Sequence, residues 1–310
     1  MGEILRDLVF DYTLRNVALG SALLGIVSGV LGCFATLRRQ GLLGDALAHA
    51  ALPGVCLAYL LTGSKESFVL LAGAAVAGWL GTLVLLRIVR DTRLSEDAAM
   101  GIVLSTFFGF GIALLTYISK RNDANQAGLD KYLFGQAAAL VTSDVVTIAV
   151  LGAVALALVA VFFKEFKLLS FDPEFAASLG FNTPRLEVLL TSLTVVAVVI
   201  GLQTVGVVLM AAMLIGPAVA ARQWTNNLGL MIALAALFGA ASGVTGAVLS
   251  VTEASLPTGP MIVLSLTAIV VVSLLFAPAR GLVWDWARQR RRHRDLAPPP
   301  LVAAQIQERG

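Results

Sequence analysis

Charged residues are scarce in this chain: only 13% of its 310 residues are Asp, Glu, Lys or Arg, whereas 58% are hydrophobic. Soluble globular domains carry about 25% charged residues, so this composition excludes an ordinary soluble domain and is typical of a polytopic membrane protein. Cysteine is also scarce. The only two, Cys33 and Cys56, lie within hydrophobic runs, which argues against a disulfide framework and against a thiolate metal site.

Two catalytic motifs are missing as well. The sequence contains no GxxxxGK[ST] phosphate-binding loop, so the chain is not expected to bind ATP through a Walker motif. It contains no HExxH, which argues against a membrane zinc protease. Any energy source must therefore be a partner or an ion gradient.

Long apolar segments are what the sequence has in abundance. A stretch of about 20 apolar residues is long enough to cross the hydrocarbon core of a membrane. The sequence therefore predicts an all-α polytopic membrane protein with about nine transmembrane helices. These lie near 16–37, 41–61, 67–87, 98–118, 143–163, 186–202, 204–221, 229–251 and 259–278.

The distribution of positive charge predicts the topology. With nine spans and an outside N-terminus, 16 of the 22 Lys and Arg residues fall on the inner side, as the positive-inside rule requires. Merging the sixth and seventh spans, which only 202–206 separates, would put the basic C-terminal segment outside.

We therefore expect a membrane domain over 1–281 and a basic, disordered cytoplasmic tail over 282–310. This tail would touch anionic lipid headgroups and not nucleic acid.

Two ionisable residues stand within the second apolar run. Asp45 is predicted to lie well inside this span, and His49, placed about 12 Å into the bilayer, is the only histidine predicted within the membrane. Such residues are expensive in lipid and are candidates for function. At a spacing of four they share one helix face. They could pair with each other, form hydrogen bonds to neighbouring helices, relay a proton or bind a metal ion.

Pro53 favours the metal ion. It follows His49 by four residues on the same face and cannot donate a hydrogen bond to the carbonyl of His49, so it marks a kink near the site. The face then presents a carboxylate, an imidazole and a free carbonyl oxygen, a donor set that suits manganese, iron(II) and zinc. Two side chains do not complete a coordination sphere, so another helix or a second copy of the chain must contribute.

The segment 168–184 predicts a short capped helix on the inner side. Asp172 can be its N-cap, Pro173 fits the first helical position, and Glu174 complements the helix dipole. Gly180 can end the helix in a left-handed conformation. Ala176 and Ala177 are expected to be exposed on it. This helix either has only a structural role within the loop, or it docks into a partner and transmits the partner's motion.

Several stretches together resemble a known family, the permease subunits of bacterial ABC importers for zinc, manganese and iron. The resemblance covers nearly the whole chain, from about 16 to 281. The matching stretches are "LLGDALAHAALPGV" (42–55), "DAAMGIVLSTFFGFGIALL" (97–115), "YLFGQ" (132–136), "VGVVLMAAMLIGPAVAAR" (205–222) and "PTGPMIVL" (257–264).

The resemblance implies a fold similar to type II ABC importer permeases and a homodimer in the bacterial inner membrane. It implies an ATP-binding cassette subunit beneath the permease and an extracytoplasmic metal-binding protein outside it. It also implies that Asp45 and His49 bind the transported cation and that 172–180 is the coupling helix. No cofactor is expected to be stably bound, and the chain itself is not expected to be an enzyme.

Other functions compete with this interpretation. A permease for a siderophore or another chelate would not need metal ligands in the membrane. A proton-coupled secondary carrier would use Asp45 and His49 as a relay, and it would more often contain an inverted repeat, which the sequence does not show. An intramembrane enzyme lacks an identifiable nucleophile and base. Among metals, manganese is favoured, with zinc and iron as alternatives.

Overall fold

The structure is a computed structural model that describes residues 12–64, 66–120, 135, 140–252, 256–278 and 280–283. Eleven helices of six residues or more account for most of this part of the chain. In chain order they are α1 (Tyr12–Leu37), α2 (Leu43–Thr62), α3 (Ser67–Asp91), α4 (Glu96–Lys120), α5 (Thr142–Val161), α6 (Phe163–Phe171), α7 (Pro173–Ser178), α8 (Thr183–Thr204), α9 (Val207–Trp224), α10 (Leu228–Thr252) and α11 (Thr258–Phe276).

The predicted all-α membrane architecture is confirmed. Within the described residues, eight helices are long and apolar enough to cross a membrane. In addition, the 18-residue helix α9 lies where the seventh span was predicted. The number of nine spans and the sides of the two termini stay predictions, as does the division of the chain at residue 281. The tail from 284 onwards lies outside the described residues.

The break between α8 and α9 confirms that this apolar stretch forms two helices. α8 ends at Thr204, and Gly206 adopts a φ of 85° before α9 begins. This left-handed conformation favours glycine, because a side chain would clash with the backbone. The backbone of Gly135 lies against the same turn, so closely that a Cβ on Gly135 would overlap residues 204–206.

Small residues let α1 and α10 pack backbone to backbone. A Cβ on Gly25 would overlap the backbone of Gly239, and a Cβ on Gly243 would overlap that of Ser21. Helices in a membrane gain little from the hydrophobic effect between them, so close van der Waals packing of this kind stabilises their association.

Helix α2 lies in the interior of the bundle, which is why it can carry polar residues. Its Gly54 meets Gly73 of α3 so closely that a Cβ on either glycine would overlap the other backbone. On another side, Gly44 lies against Leu214 of α9. The polar residues of α2 are therefore surrounded mainly by protein and not by lipid.

Candidate metal site and cytoplasmic helix

Asp45 and His49 lie together on α2, as the sequence predicts. Nε2 of His49 is 3.2 Å from Oδ1 of Asp45. The side chain of Asp45 remains 32% exposed, whereas that of His49 is 13% exposed. The carboxylate can therefore be reached from outside the chain, and the imidazole lies behind it.

The second ring nitrogen of His49 is buried, and this Nδ1 has no hydrogen-bond partner within the part of the chain that the structure describes. A buried polar atom without a partner costs free energy, so its persistence points to a ligand or to a functional constraint. Among the described residues, no group of three or more His, Cys, Asp or Glu side chains could hold a metal ion. One chain thus supplies a carboxylate and an imidazole, which is fewer ligands than a closed metal site requires.

Asp45 is closer to a helix end than the sequence suggested. It lies in the first turn of α2, because this helix begins at Leu43. His49 is then about 9 Å along the helix axis from Leu43. The expectation that Asp45 lies well inside a span was wrong in this respect, since the turn between α1 and α2 extends further along the chain than the apolar pattern indicates.

Helix α4 covers the face of α2 that carries the pair. The ring of Phe108 stands edge-on to the imidazole of His49, with 4.3 Å between the ring centroids. One helical turn further on, Pro53 packs against Gly111, where a Cβ would lie 3.1 Å from Cδ of Pro53. Phe108 was not identified as a site residue from the sequence, although it lies within the stretch 97–115 that resembles the importer permeases.

Polar contacts brace the end of the bundle nearest to Asp45, and the sequence did not reveal them. Arg38, just after α1, pairs with Glu187 of α8, and both side chains are partly buried. The buried Gln40 donates a hydrogen bond from Nε2 to Oε2 of Glu96, at 3.0 Å. These contacts fix the turn that leads into α2, and thereby the position of its first helical turn.

The short inner helix has the predicted caps. Oδ1 of Asp172 accepts a hydrogen bond from the backbone N–H of Phe175 at 2.9 Å, and Pro173 is the first helical residue. Glu174 lies in the first turn, where its charge complements the helix dipole. Gly180 has a φ of 87° and ends the segment in the left-handed conformation, as predicted.

The two alanines of α7 differ in exposure. Ala177 is exposed as expected, but Ala176 is buried at 1%, so the expectation that both are exposed was wrong for Ala176. In a helix of six residues one side must rest on the rest of the chain, and Ala176 is on that side. The neighbouring large apolar side chains of Phe175 and Leu179 are 51% and 56% exposed.

The profile of the ABC 3 transport family matches residues 10–277. The chain belongs to this family. It is 52% identical to the zinc transport system membrane protein TroC of Treponema pallidum (strain Nichols), over 93% of this chain and 96% of that protein. It is 54% identical to the manganese transport system membrane protein MntC of Bacillus subtilis (strain 168), over 93% of this chain and 66% of that protein.

A solved structure agrees with this assignment. The fold is similar to that of PsaBC from Streptococcus pneumoniae in complex with Fab, with a TM-score of 0.77, 33% identity, and coverage of 90% of this chain and 97% of that one. The predicted resemblance to ABC importer permeases is therefore confirmed. Family membership and the apolar helices together make the chain a multi-pass transport subunit of the bacterial cell membrane.

Proposed function

We propose that the chain is the permease subunit of a bacterial ABC importer that moves a divalent metal cation into the cytoplasm, driven by ATP hydrolysis in a partner subunit. The observation that carries this proposal is the Asp45–His49 pair on α2, in a chain of an ABC transport family. One imidazole nitrogen of the pair has no partner in the described ranges of the chain. Relatives named as zinc and manganese transport proteins support a divalent cation as the cargo.

Asp45 and His49 are proposed to be ligands of the passing cation. A carboxylate and an imidazole suit manganese, zinc and iron(II) alike. A pathway site has to release its ion, so a small number of ligands is an advantage here, whereas a closed four-ligand cage would retain the metal. The carbonyl oxygen of His49 is proposed as a third metal ligand. It is free to bind a cation because Pro53, four residues later, has no N–H to donate to it.

The permease is proposed to act as a homodimer that brings two such pairs together. Helix α4, which covers His49 through Phe108, presents a face of small residues to the outside. Gly101 and Gly109 have open space where a side chain would stand, and Ser105 and Ala113 are exposed between and beyond them. Small residues allow a second helix to approach closely, so a second copy could pack there and add its own Asp45 and His49.

The remaining assignments concern the partners. The segment 172–180, with Asp172, Pro173, Glu174, Ala176, Ala177 and Gly180, is proposed to couple the permease to the ATP-binding subunit. The exposed Phe175 and Leu179 support this, because exposed apolar side chains on a polar face are typical of protein interfaces. On the outer side, an extracytoplasmic metal-binding protein is proposed to deliver the cation.

Metal uptake by cells that produce the chain with its ATPase and binding protein tests the site. We expect Asp45→Asn and His49→Ala each to lower manganese uptake by about tenfold or more, since even the loss of outer-sphere partners of metal ligands costs that much affinity. Asp144→Asn is the matched control: it removes an acidic charge in the first turn of α5, where an Asn side chain can still accept the hydrogen bond from the backbone N–H of Val141. Undiminished uptake by both site variants would show that the pair is structural.

Two further measurements define the cargo and the energy source. Manganese is favoured over zinc and iron, and the metal content of the partner binding protein purified from its host decides among the three. Inactivating the ATPase partner should abolish uptake completely. Uptake that continues without ATP hydrolysis, and that follows the proton gradient instead, would support a secondary carrier in which Asp45 and His49 relay protons.

A further inference from the structure

A half-open cavity of about 200 Å³ lies where several helices end, on the predicted cytoplasmic side. It is bounded by the last residues of α1, α6 and α9, by the start of α10, and by the segment after α11. One water molecule needs about 10–15 Å³ of such space, so the cavity has room for a headgroup fragment but not for a whole lipid. It is separate from Asp45 and His49, neither of which lines it.

The polar part of this cavity is positively charged. Arg222 and Arg280 both line it, and no acidic residue does so among the described residues. The charge of Arg39 lies near enough to add to the repulsion that Arg222 experiences from Arg280. Nη2 of Arg280 donates a hydrogen bond to Oδ1 of Asn226, at 2.9 Å, which orients one guanidinium but does not neutralise it.

Two positive charges that line one cavity repel each other, and an anion bound between them would attract both. Guanidinium groups bind phosphate through two parallel N–H···O bonds. Thr225 also lines the cavity, and its hydroxyl, which accepts a hydrogen bond from the backbone N–H of Asn227, still has a proton to donate. The donor set therefore suits a phosphate group.

The other half of the cavity is apolar, which distinguishes a lipid from a soluble anion. Leu37, Leu228 and Met231 form this side, together with the exposed ring of Phe171. Next to the cavity in sequence, Trp224 is 37% exposed and donates a hydrogen bond from its indole nitrogen to Oγ of Ser273, at 3.0 Å. A partly exposed tryptophan at a helix end is typical of the membrane–water interface, where lipid headgroups lie.

We propose that this cavity binds the phosphate of an anionic phospholipid, with Arg222 and Arg280 as its ligands and the apolar wall against the glycerol region. The choice of the cytoplasmic leaflet rests on the topology in the proposed function, but the binding itself does not depend on metal transport. Phe171 immediately precedes the N-cap Asp172, so a lipid bound here would also brace the base of the short inner helix.

Native mass spectrometry of the purified full-length chain in detergent tests this site. The probes are phosphatidylglycerol, phosphatidylcholine and inorganic phosphate, each titrated separately. We expect phosphatidylglycerol to bind more tightly than phosphatidylcholine. Arg222→Gln and Arg280→Gln should each weaken the binding of phosphatidylglycerol by about fivefold, the contribution typical of one basic residue near a membrane surface.

Matched variants separate a specific site from general attraction. Arg93→Gln removes the same charge from an exposed position after α3, also on the predicted inner side, and should leave the affinity unchanged. Arg222→Lys and Arg280→Lys keep the charge and should retain most of the binding. If Arg222→Gln does not fold, Arg280→Gln gives the same information, because Arg280 is exposed and lies outside the helices.

Three results would overturn the proposal. Equal weakening by Arg93→Gln would mean that the lipid is attracted by net charge alone. Equal affinities for phosphatidylglycerol and phosphatidylcholine would exclude an anionic lipid as the ligand. Tight binding of inorganic phosphate that displaces phosphatidylglycerol would assign the cavity to a soluble anion instead. Metal uptake is not measured in any of these experiments, so their outcome is independent of the Asp45–His49 proposal.

Discussion

Nε2 of His49 lies 3.2 Å from Oδ1 of Asp45, while Nδ1 of the same ring is buried and finds no hydrogen-bond partner among the described residues. Since an ionised carboxylate only accepts hydrogen bonds, Nε2 is the donor, and a neutral imidazole then keeps its lone pair on Nδ1. With a neutral imidazole the pair is a hydrogen bond and not an ion pair: it orients the ring, leaves Nδ1 available as a metal ligand, and keeps the partly exposed carboxylate beside Nε2.

The edge-on ring of Phe108 is expected to hold His49 in that orientation. Phe108→Ala should raise the KM for metal uptake by about tenfold, with a smaller change in the maximal rate, because a mobile imidazole is a poorer ligand. Phe110→Ala is the control, since Phe110 is on the same helix and 53% exposed. Uptake kinetics at several metal concentrations measure the effect. Equal changes in the two variants would mean that only helix packing was disturbed.

The helices and caps could be predicted from the sequence because they depend on local pattern. The cap formed by Asp172, the left-handed Gly180 and the break at Gly206 are all encoded within a few neighbouring residues. The burial of Ala176, the contact of Phe108 with His49, and the cavity around Arg222 bring together segments far apart in the chain. Neither hydropathy nor spacing contains that information, so these features became visible only in the fold.

The ion pair between Arg38 and Glu187 is expected to stabilise the turn before α2. Arg38→Ala should lower the free energy of unfolding by about 1–2 kcal/mol, because Glu187 loses its partner. This value lies between those typical of exposed ion pairs and of fully buried ones. Thermal unfolding of the purified chain measures this loss. The double variant Arg38→Glu with Glu187→Arg should recover part of the stability. If the double variant loses as much unfolding free energy as Arg38→Glu and Glu187→Arg lose together, the two charges do not interact.

The positive-inside distribution predicts that the turn after α2 faces outward and that α7 faces the cytoplasm. Single cysteines at the partly exposed Ser64 and the exposed Ala177 test this in intact cells, because both native cysteines are buried. Ser64→Cys should react with a membrane-impermeant maleimide at once. Ala177→Cys should react only after the membrane is permeabilised. Labelling of both positions from outside would contradict the predicted number of spans between them.

The exposed apolar surface of α7 is expected to carry the contact with the ATPase. Phe175→Ala and Ala177→Arg should abolish uptake of the metal and reduce stimulation of the partner ATPase. They should change stability by no more than about 0.5 kcal/mol, since both side chains are exposed.

Leu237→Ala on α10, where Leu237 is 61% exposed, is the control for loss of an apolar side chain. Ala176 is unsuitable for this test, because a bulky residue at this buried position would disturb folding. Normal coupling in both α7 variants would indicate a plain loop helix.

The small-residue face of α4 is expected to form the contact between two copies. A Cβ at Gly109 would meet nothing within 4 Å in one copy, and the position is exposed, so Gly109→Leu should leave the fold of a single chain intact. In a dimer packed through α4, the same leucine would hold the two helices apart, because close approach depends on the missing side chain. We therefore expect Gly109→Leu to convert the purified permease from a dimer to a monomer, and to lower metal uptake with it.

Light scattering combined with size-exclusion chromatography measures the oligomeric state in that experiment. Ala153→Leu, on the exposed surface of α5, is the matched control for added apolar volume and should remain dimeric. If Gly109→Leu also stays dimeric and active, the copies do not meet through α4. The two Asp45–His49 pairs would then have to act separately or meet through another surface. A monomeric Gly109→Leu that still transports would contradict a site shared between subunits, because each chain by itself contributes only one carboxylate and one imidazole.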